Sequence, residues 1–285
     1  MIQVDGVELC ADWWGAPAEP PVLLIMGLGA SMLWWPEDFC RALADGGRFV
    51  VRYDQRDTGR SITYPLGNPG YTGGDLVSDV IGILDAYQLR AAHLVGVSAG
   101  GAIAQLVALD HPGRVLSLVL ISTSPALAIR RELPPPTDAF GQFFSGPPID
   151  WSDPQSVIDY RTRYTLMLAG SERQLDAAQV REFVRRDVER SRDFSAAGNH
   201  DQLTDDDRDR GPLAAISAPT LVIHGTADPM FPLEHGQALA EVIPNAHLVA
   251  ADGAGHGLES MDQHMVVKAI LEHSQCSRYH PKEDR

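Results

Sequence analysis

Residues 92–109, AHLVGVSAGGAIAQLVAL, decide the fold. An apolar run ends at Gly96-Val97-Ser98-Ala99-Gly100, and a helical segment over Ala102–Leu109 follows. A serine at such a strand-to-helix turn takes strained backbone angles that lift its hydroxyl out of the sheet. The glycines on either side are expected because strand and helix approach too closely there for a Cβ. The N-terminus of the helix also directs free N–H groups at any charge that develops beside the serine. Ser98 is therefore the candidate nucleophile. The five-residue spelling alone carries little weight; its strand–turn–helix setting gives it force.

The same alternation extends in both directions. Pro21–Met26 and Phe49–Tyr53 are continuous apolar runs of the kind that suit strands buried on both faces. Helical spacing over Glu37–Ala44 separates them, and Asp75–Leu89 repeats it with Leu76, Val77, Val80, Ile81 and Leu84. Strands are expected at Ala92–Val97, Val115–Ile121, Thr220–Ile223 and His247–Ala250, with helices over Glu234–Val242 and Met261–Glu272. A hairpin turning at Asp5-Gly6 precedes them. Repeated strand–helix units imply an α/β fold: a mostly parallel central sheet flanked by helices.

One segment interrupts the pattern. Residues 124–215 open with Pro134-Pro135-Pro136 and Pro147-Pro148. Ser171 with Gln174 reads as a capping box, followed by a helical stripe of Leu175, Val180, Phe183, Val184 and Val188. The expected organisation is a core of residues 1–123 and 216–276, a mainly helical cap of 124–215 inserted between late core strands, and a frayed tail over 277–285.

A nucleophilic serine needs a base, and ten histidines are available. His93 opens the strand that leads to the serine, so it sits at the wrong end, and His111 lies at the far end of the next helix. His235, His264, His273 and His280 fall on helices or the tail and are expected to be solvated. His256 instead lies in Gly253-Ala254-Gly255-His256-Gly257, directly after a strand, at the sheet edge where sites of this architecture assemble. Asp228, in His224-Gly225-Thr226-Ala227-Asp228-Pro229, also follows a strand and is the expected orienting carboxylate. Asp252 is the fallback, although it stands too close before the histidine to reach round the ring.

The order Ser98, Asp228, His256 resembles that of the α/β-hydrolases, and the resemblance covers the whole sheet. It implies a catalytic triad and an oxyanion hole formed by the N–H groups of Ala99 and Leu28, the latter in Met26-Gly27-Leu28-Gly29. Met26 stands where the family commonly has His; the donor is backbone, so the hole survives and only its support changes. Met-Gly-x-Gly, Trp35-Pro36 and Asp54-Gln55-Arg56-Asp57-Thr58-Gly59-Arg60-Ser61 are further similar to aclacinomycin methylesterase and related actinobacterial esterases, which remove a methyl ester from a polyketide. The 54–61 loop is read as structural, its alternating charges bracing it. Trp34, Trp35, Phe140, Phe143 and Phe144 are expected to line the substrate pocket, with core packing as the alternative.

Composition narrows the field. The net charge of −15 argues against nucleic acid and against an anionic membrane surface. Three cysteines, Cys10, Cys40 and Cys276, form neither a disulfide framework nor a metal-ligand spacing, so neither metal nor cofactor is expected. No secretory signal is apparent, and the reading is of a soluble cytoplasmic protein acting on a small-molecule ester. A dinucleotide site at Gly27-Leu28-Gly29 lacks its third glycine, since position 32 is Met. Perhydrolysis, lactone opening or C–C hydrolysis on the same residues, and a non-enzymatic ligand-binding protein of this fold, remain as alternatives.

Overall fold

Nine strands and eight α-helices make up a computed structural model that describes residues 1–204, 208–258 and 261–275. The 277–285 tail, Cys276 and His280 lie outside the described residues. β1 (Ile2–Val4) and β2 (Val7–Leu9) form the hairpin, with Asp5 and Gly6 both at positive φ. The main sheet holds β3 (Ala11–Trp14), β4 (Pro21–Ile25), β5 (Phe49–Tyr53), β6 (Ala92–Val97), β7 (Val115–Ile121), β8 (Thr220–Gly225) and β9 (Ala246–Ala251). Their order is β3-β5-β4-β6-β7-β8-β9; only β3 runs antiparallel, against β5. The chain places β5 on one side of β4 and β6 on the other, so the loops after β4 and β6 diverge. That reversal opens a crevice at the C-terminal ends of the strands, where ligands bind in open α/β sheets.

The continuous apolar runs are explained by the two cores they feed. Leu23 and Ile25 of β4 face one core, which is closed by α2 (Gly73–Ala86), α3 (Ala99–Asp110) and α7 (Glu234–Val242). Val22 and Leu24 face the other, beneath α1 (Glu37–Asp45) and α8 (Gln263–His273). Every residue of β4, β5, β6 and β8 is buried, and each large aliphatic side chain so placed stabilises by about 1.5–3 kcal/mol.

Between β7 and β8 the chain departs into α4 (Asp138–Phe143), α5 (Pro154–Leu168), α6 (Ala177–Arg190) and a 3₁₀ stretch at Phe194–Gln202. Helices α5 and α6 pack through Val157, Ile158, Val184 and Val188. The capping box expected at Ser171 and Gln174 does not form. Helix α6 begins later, where the Asp176 carboxylate accepts the N–H of Ala178 at 2.8 Å and of Gln179 at 3.2 Å. A doubly accepting carboxylate next to the first turn outcompetes a serine five residues upstream.

Polar contacts with the 54–61 loop help bind the insertion to the core. Arg190 pairs with buried Asp54 at 2.8 Å, and the Asn199 amide donates to Asp57 at 2.9 Å. Asp54 also accepts the N–H of Met32 at 2.8 Å and of Arg60 at 2.9 Å. Arg56 forks onto Asp79 of α2 through two bonds of 2.8 and 2.7 Å, with both side chains buried. Removing one partner strands the other charge away from water. Asp79→Ala is therefore expected to destabilise the protein by about 3–5 kcal/mol, read from the midpoint of urea unfolding; a loss below about 1 kcal/mol, as at an exposed pair, would contradict it.

Candidate active site

Strand β6 ends at Val97, and Ser98 turns the chain directly into α3, which begins at Ala99 rather than a few residues later as the sequence suggested. Ser98 adopts φ 54° and ψ −123°, outside the regions open to ordinary residues. The turn is forced by packing. A Cβ on Gly96 would run into the Gly100 carbonyl, and one on Gly100 would strike the carbonyls of Ile25 and Met26. Helix α3 thus lies backbone-to-backbone on the ends of β4 and β6. Ser98 is locked there by its N–H, which donates to Ile121 at 2.9 Å, and by its carbonyl, which accepts the Thr123 hydroxyl at 2.6 Å.

The loop after β4 passes alongside. Gly27 sits so close to Ser98 that a Cβ would come within 3.2 Å of the serine Cβ. The N–H groups of Leu28 and Ala99 have no acceptor among the described residues, and both residues lie on the wall of one cavity with Ser98. The Gln55 amide donates to the Met26 carbonyl and supports the loop from below.

His256 follows β9 and is almost fully buried. Its N–H donates to the Leu168 carbonyl of the insertion at 2.7 Å, and its Nδ1 stands 2.9 Å from Asp228 Oδ2. The other Asp228 oxygen accepts the N–H groups of Met230 and Phe231 at 2.9 and 2.8 Å. Burial pulls the Asp228 carboxyl upward, but the adjoining His256, their shared hydrogen bond and the Phe231 N–H outweigh it, so its pKa lies below the ordinary value. A carboxylate held ionised against Nδ1 fixes the proton on that nitrogen and leaves Nε2 free to act as base. The Phe231 ring stands edge-on to the imidazole at 5.6 Å. The fallback Asp252 is exposed and plays no part in this group.

Ser98 and His256 open on a cavity of about 800 Å³. Trp34, Phe140 and Phe144 line it as expected from the sequence. Trp35 does not: it is wholly buried in the core, packed on Phe39 with ring centroids 5.4 Å apart. The two tryptophans point opposite ways because the backbone leaves a short 3₁₀ turn between them and becomes extended at Trp35. Phe143 also stands off the wall and packs against Tyr160 and Tyr164. Those two tyrosines, Trp151, Ile149, Leu168 and Phe231 line the cavity, and sequence reasoning did not find them. Tyr160 and Tyr164, one helical turn apart on α5, offered a detectable stripe; Trp151 and Ile149, on an irregular stretch, offered none.

One other histidine departs from expectation. His235 is buried, not solvated: Nδ1 meets the Ser124 hydroxyl at 2.8 Å and Nε2 the Pro134 carbonyl at 3.0 Å. His200, which the sequence did not single out, is buried beside the loop after β4. His93 is buried on β6 against Ser117, away from Ser98, as its position implied. Among the described residues no group of His, Cys, Asp and Glu is arranged to hold a metal ion, and no helix is long and apolar enough to cross a membrane.

Residues 20–258 match the family model for the alpha/beta hydrolase fold. The chain belongs to the alpha/beta hydrolase fold family. Within it, the chain is 32% identical to the rhodomycin D methylesterase DauP of Streptomyces sp. (strain C5), over 97% of this chain and 98% of that one. It is 31% identical to the rhodomycin D methylesterase DnrP of Streptomyces peucetius over the same shares. Among solved structures, a hydrolase from Pseudomonas aeruginosa PA01 superposes with a TM-score of 0.71 at 28% identity, covering 96% of each chain.

The close approach under Ser98 is testable. Gly100→Ala is expected to destabilise the protein by about 1–3 kcal/mol through overpacking. Gly113→Ala, whose Cβ would meet open space, is expected to stay within about 0.5 kcal/mol of the parent. Thermal melts of the pair check this, and equal shifts would contradict it.

Proposed function

We propose that this hydrolase is a serine esterase in which Ser98, His256 and Asp228 form the catalytic triad and the N–H groups of Leu28 and Ala99 form the oxyanion hole. The observation that carries the reading is the His256–Asp228 hydrogen bond on the same cavity wall as a serine held at a strained strand-to-helix turn. Hydrolysis of carboxylic esters accords with full-length similarity to two methylesterases.

His256 Nε2 takes the proton from Ser98 Oγ as the oxygen attacks the ester carbonyl, and the carbonyl oxygen becomes an oxyanion. Leu28 and Ala99 N–H groups stabilise that charge, each by on the order of 3 kcal/mol. His256 then gives its proton to the departing alkoxide, which leaves as an alcohol. Water, deprotonated by the same imidazole, releases the acid and restores Ser98. Asp228 holds the imidazole in the correct tautomer and stabilises the imidazolium without itself taking the proton.

The acyl group is a bulky aromatic or otherwise hydrophobic acid, and a small alcohol such as methanol is the leaving group. Trp34, Trp151, Phe140, Tyr160, Tyr164 and Phe231 supply flat apolar surface around a volume suited to a drug-sized ligand. The insertion acts as a cap that supplies most of this wall. The methyl ester of a polyketide acid accords with the aromatic cavity surface and with the methylesterase activity named for the two relatives.

A fluorophosphonate is expected to add once to the wild type, seen by intact mass, and not at all to Ser98→Ala. Ser98→Ala and His256→Ala are each expected to cost on the order of 10⁵–10⁶-fold in kcat, the double variant little more. Asp228→Asn costs about 10⁴-fold. Ester turnover that survives Ser98→Ala would overturn the mechanism. Asp228 is held ionised below the ordinary carboxylate range, so its own protonation is not expected to set the acid limb of the pH–rate profile.

A further inference from the structure

The Gly29 peptide, one residue beyond the proposed oxyanion donor Leu28, is gripped from both sides by side chains of the insertion. Its N–H donates to Nδ1 of His200 at 2.8 Å, and its carbonyl accepts from the Arg161 guanidinium. To accept, Nδ1 must be bare, so the ring proton sits on Nε2, which donates to the Arg56 carbonyl at 2.7 Å. One neutral tautomer satisfies both partners. Burial pushes the His200 pKa down to about 4, which keeps the ring neutral. Arg56 is itself immobilised by its fork onto Asp79.

Arg161 is aimed by Asp187 of α6, 3.4 Å away, and the same buried carboxylate accepts the Ser31 hydroxyl and, at 3.0 Å, the Trp34 indole N–H. The loop is therefore tied to the insertion at Gly29, Ser31 and Trp34. Residues 26–30 belong to no helix or strand, and Gly29 at φ +65° lies in the left-handed region that glycine adopts without steric cost. Side chains, not secondary structure, hold this turn. An oxyanion hole acts through preorganised donors, and a misplacement of about 1 Å can cost 10²-fold.

We propose that His200 and Arg161 are positioning residues that fix the Gly29 peptide so that the Leu28 N–H is aimed in advance at the oxyanion. Stabilisation of the transition state then depends on the insertion being seated on the core, and the cavity wall and the oxyanion hole form one mechanical unit. The inference rests on the serine-esterase reading. Its signature is a loss in kcat with little change in KM, because the affected bond matters only once the oxyanion forms.

The two ring nitrogens can be tested separately. In His200→Asn the amide oxygen can stand where Nδ1 accepts from Gly29, while His200→Gln keeps a donor toward Arg56 and loses that acceptor. The probes are methyl 2-naphthoate for turnover and an aryl trifluoromethyl ketone, which forms an oxyanion adduct, for inhibition. His200→Gln and Arg161→Met are expected to lose about 10- to 100-fold in kcat with KM nearly constant and inhibitor affinity falling in parallel. His200→Asn is expected to recover most of that loss, with thermal melts run on all variants. Ser98-dependent turnover unaffected in His200→Gln, equal losses in Asn and Gln, or a loss confined to KM would overturn the inference while leaving the esterase reading intact. Turnover surviving Ser98→Ala would overturn the esterase reading itself, and the inference with it. If Arg161→Met fails to fold, the Asn–Gln comparison alone decides.

Discussion

Everything at the site depends on a backbone contact with no side chain in it. Helix α3 lies against the carbonyl ends of β4 and β6 because Gly96 and Gly100 carry no Cβ. That approach leaves no conventional conformation for the residue between strand and helix, and Ser98 takes positive φ as a result. The strain is borne by two extensive apolar cores, one on each face of the sheet, that hold the strands between the helices. Backbone strain of this kind costs on the order of 1–3 kcal/mol and persists only where its surroundings over-determine it. The reward is a hydroxyl raised above the sheet, at a helix N-terminus, beside the loop after β4.

A second constraint concerns charge. The chain carries a net −15, yet its interior polar contacts are organised around carboxylates that face cations or several N–H and O–H donors. Asp54 holds Arg190 and two backbone N–H groups; Asp187 gathers Arg161, Ser31 and Trp34. Buried ion pairs add little net stability compared with well-packed apolar groups, but they strongly penalise any arrangement that separates the partners. Placed between insertion and core, they specify one seating of the inserted helices. The apolar contacts within α5 and α6 could not do this alone, because they face each other and the cavity more than the sheet.

The division of labour between core and insertion follows from these two constraints. The core supplies Ser98, His256 and Asp228 from three loops at one end of the sheet. The insertion supplies much of the aromatic wall, and it reaches His256 through backbone: the Leu168 carbonyl accepts the His256 N–H. The two parts of the site are thus coupled at the histidine as well as at Gly29. A change in the inserted helices is therefore able to alter both the shape of the cavity and the placement of His256.

The sequence by itself determined the sheet, the strand-to-helix turn at Ser98 and the order of Ser98, Asp228 and His256. Those features are local: apolar periodicity, glycine pairs and strand ends are written in runs of five to fifteen residues, and β5, β6, β7 and α7 were legible to the residue. What only the tertiary structure decided was which side chains meet across the insertion. Trp34 and Trp35 are adjacent, yet one faces the cavity and the other the core, because a 3₁₀ turn ends between them. His235 sits on a helix but is covered by the Pro134 and Ser124 segments. His200 meets Gly29 across 171 positions of chain, a separation over which no periodicity carries information. Such contacts are set by how the inserted helices dock, and docking is a property of the folded surfaces rather than of any stretch of sequence.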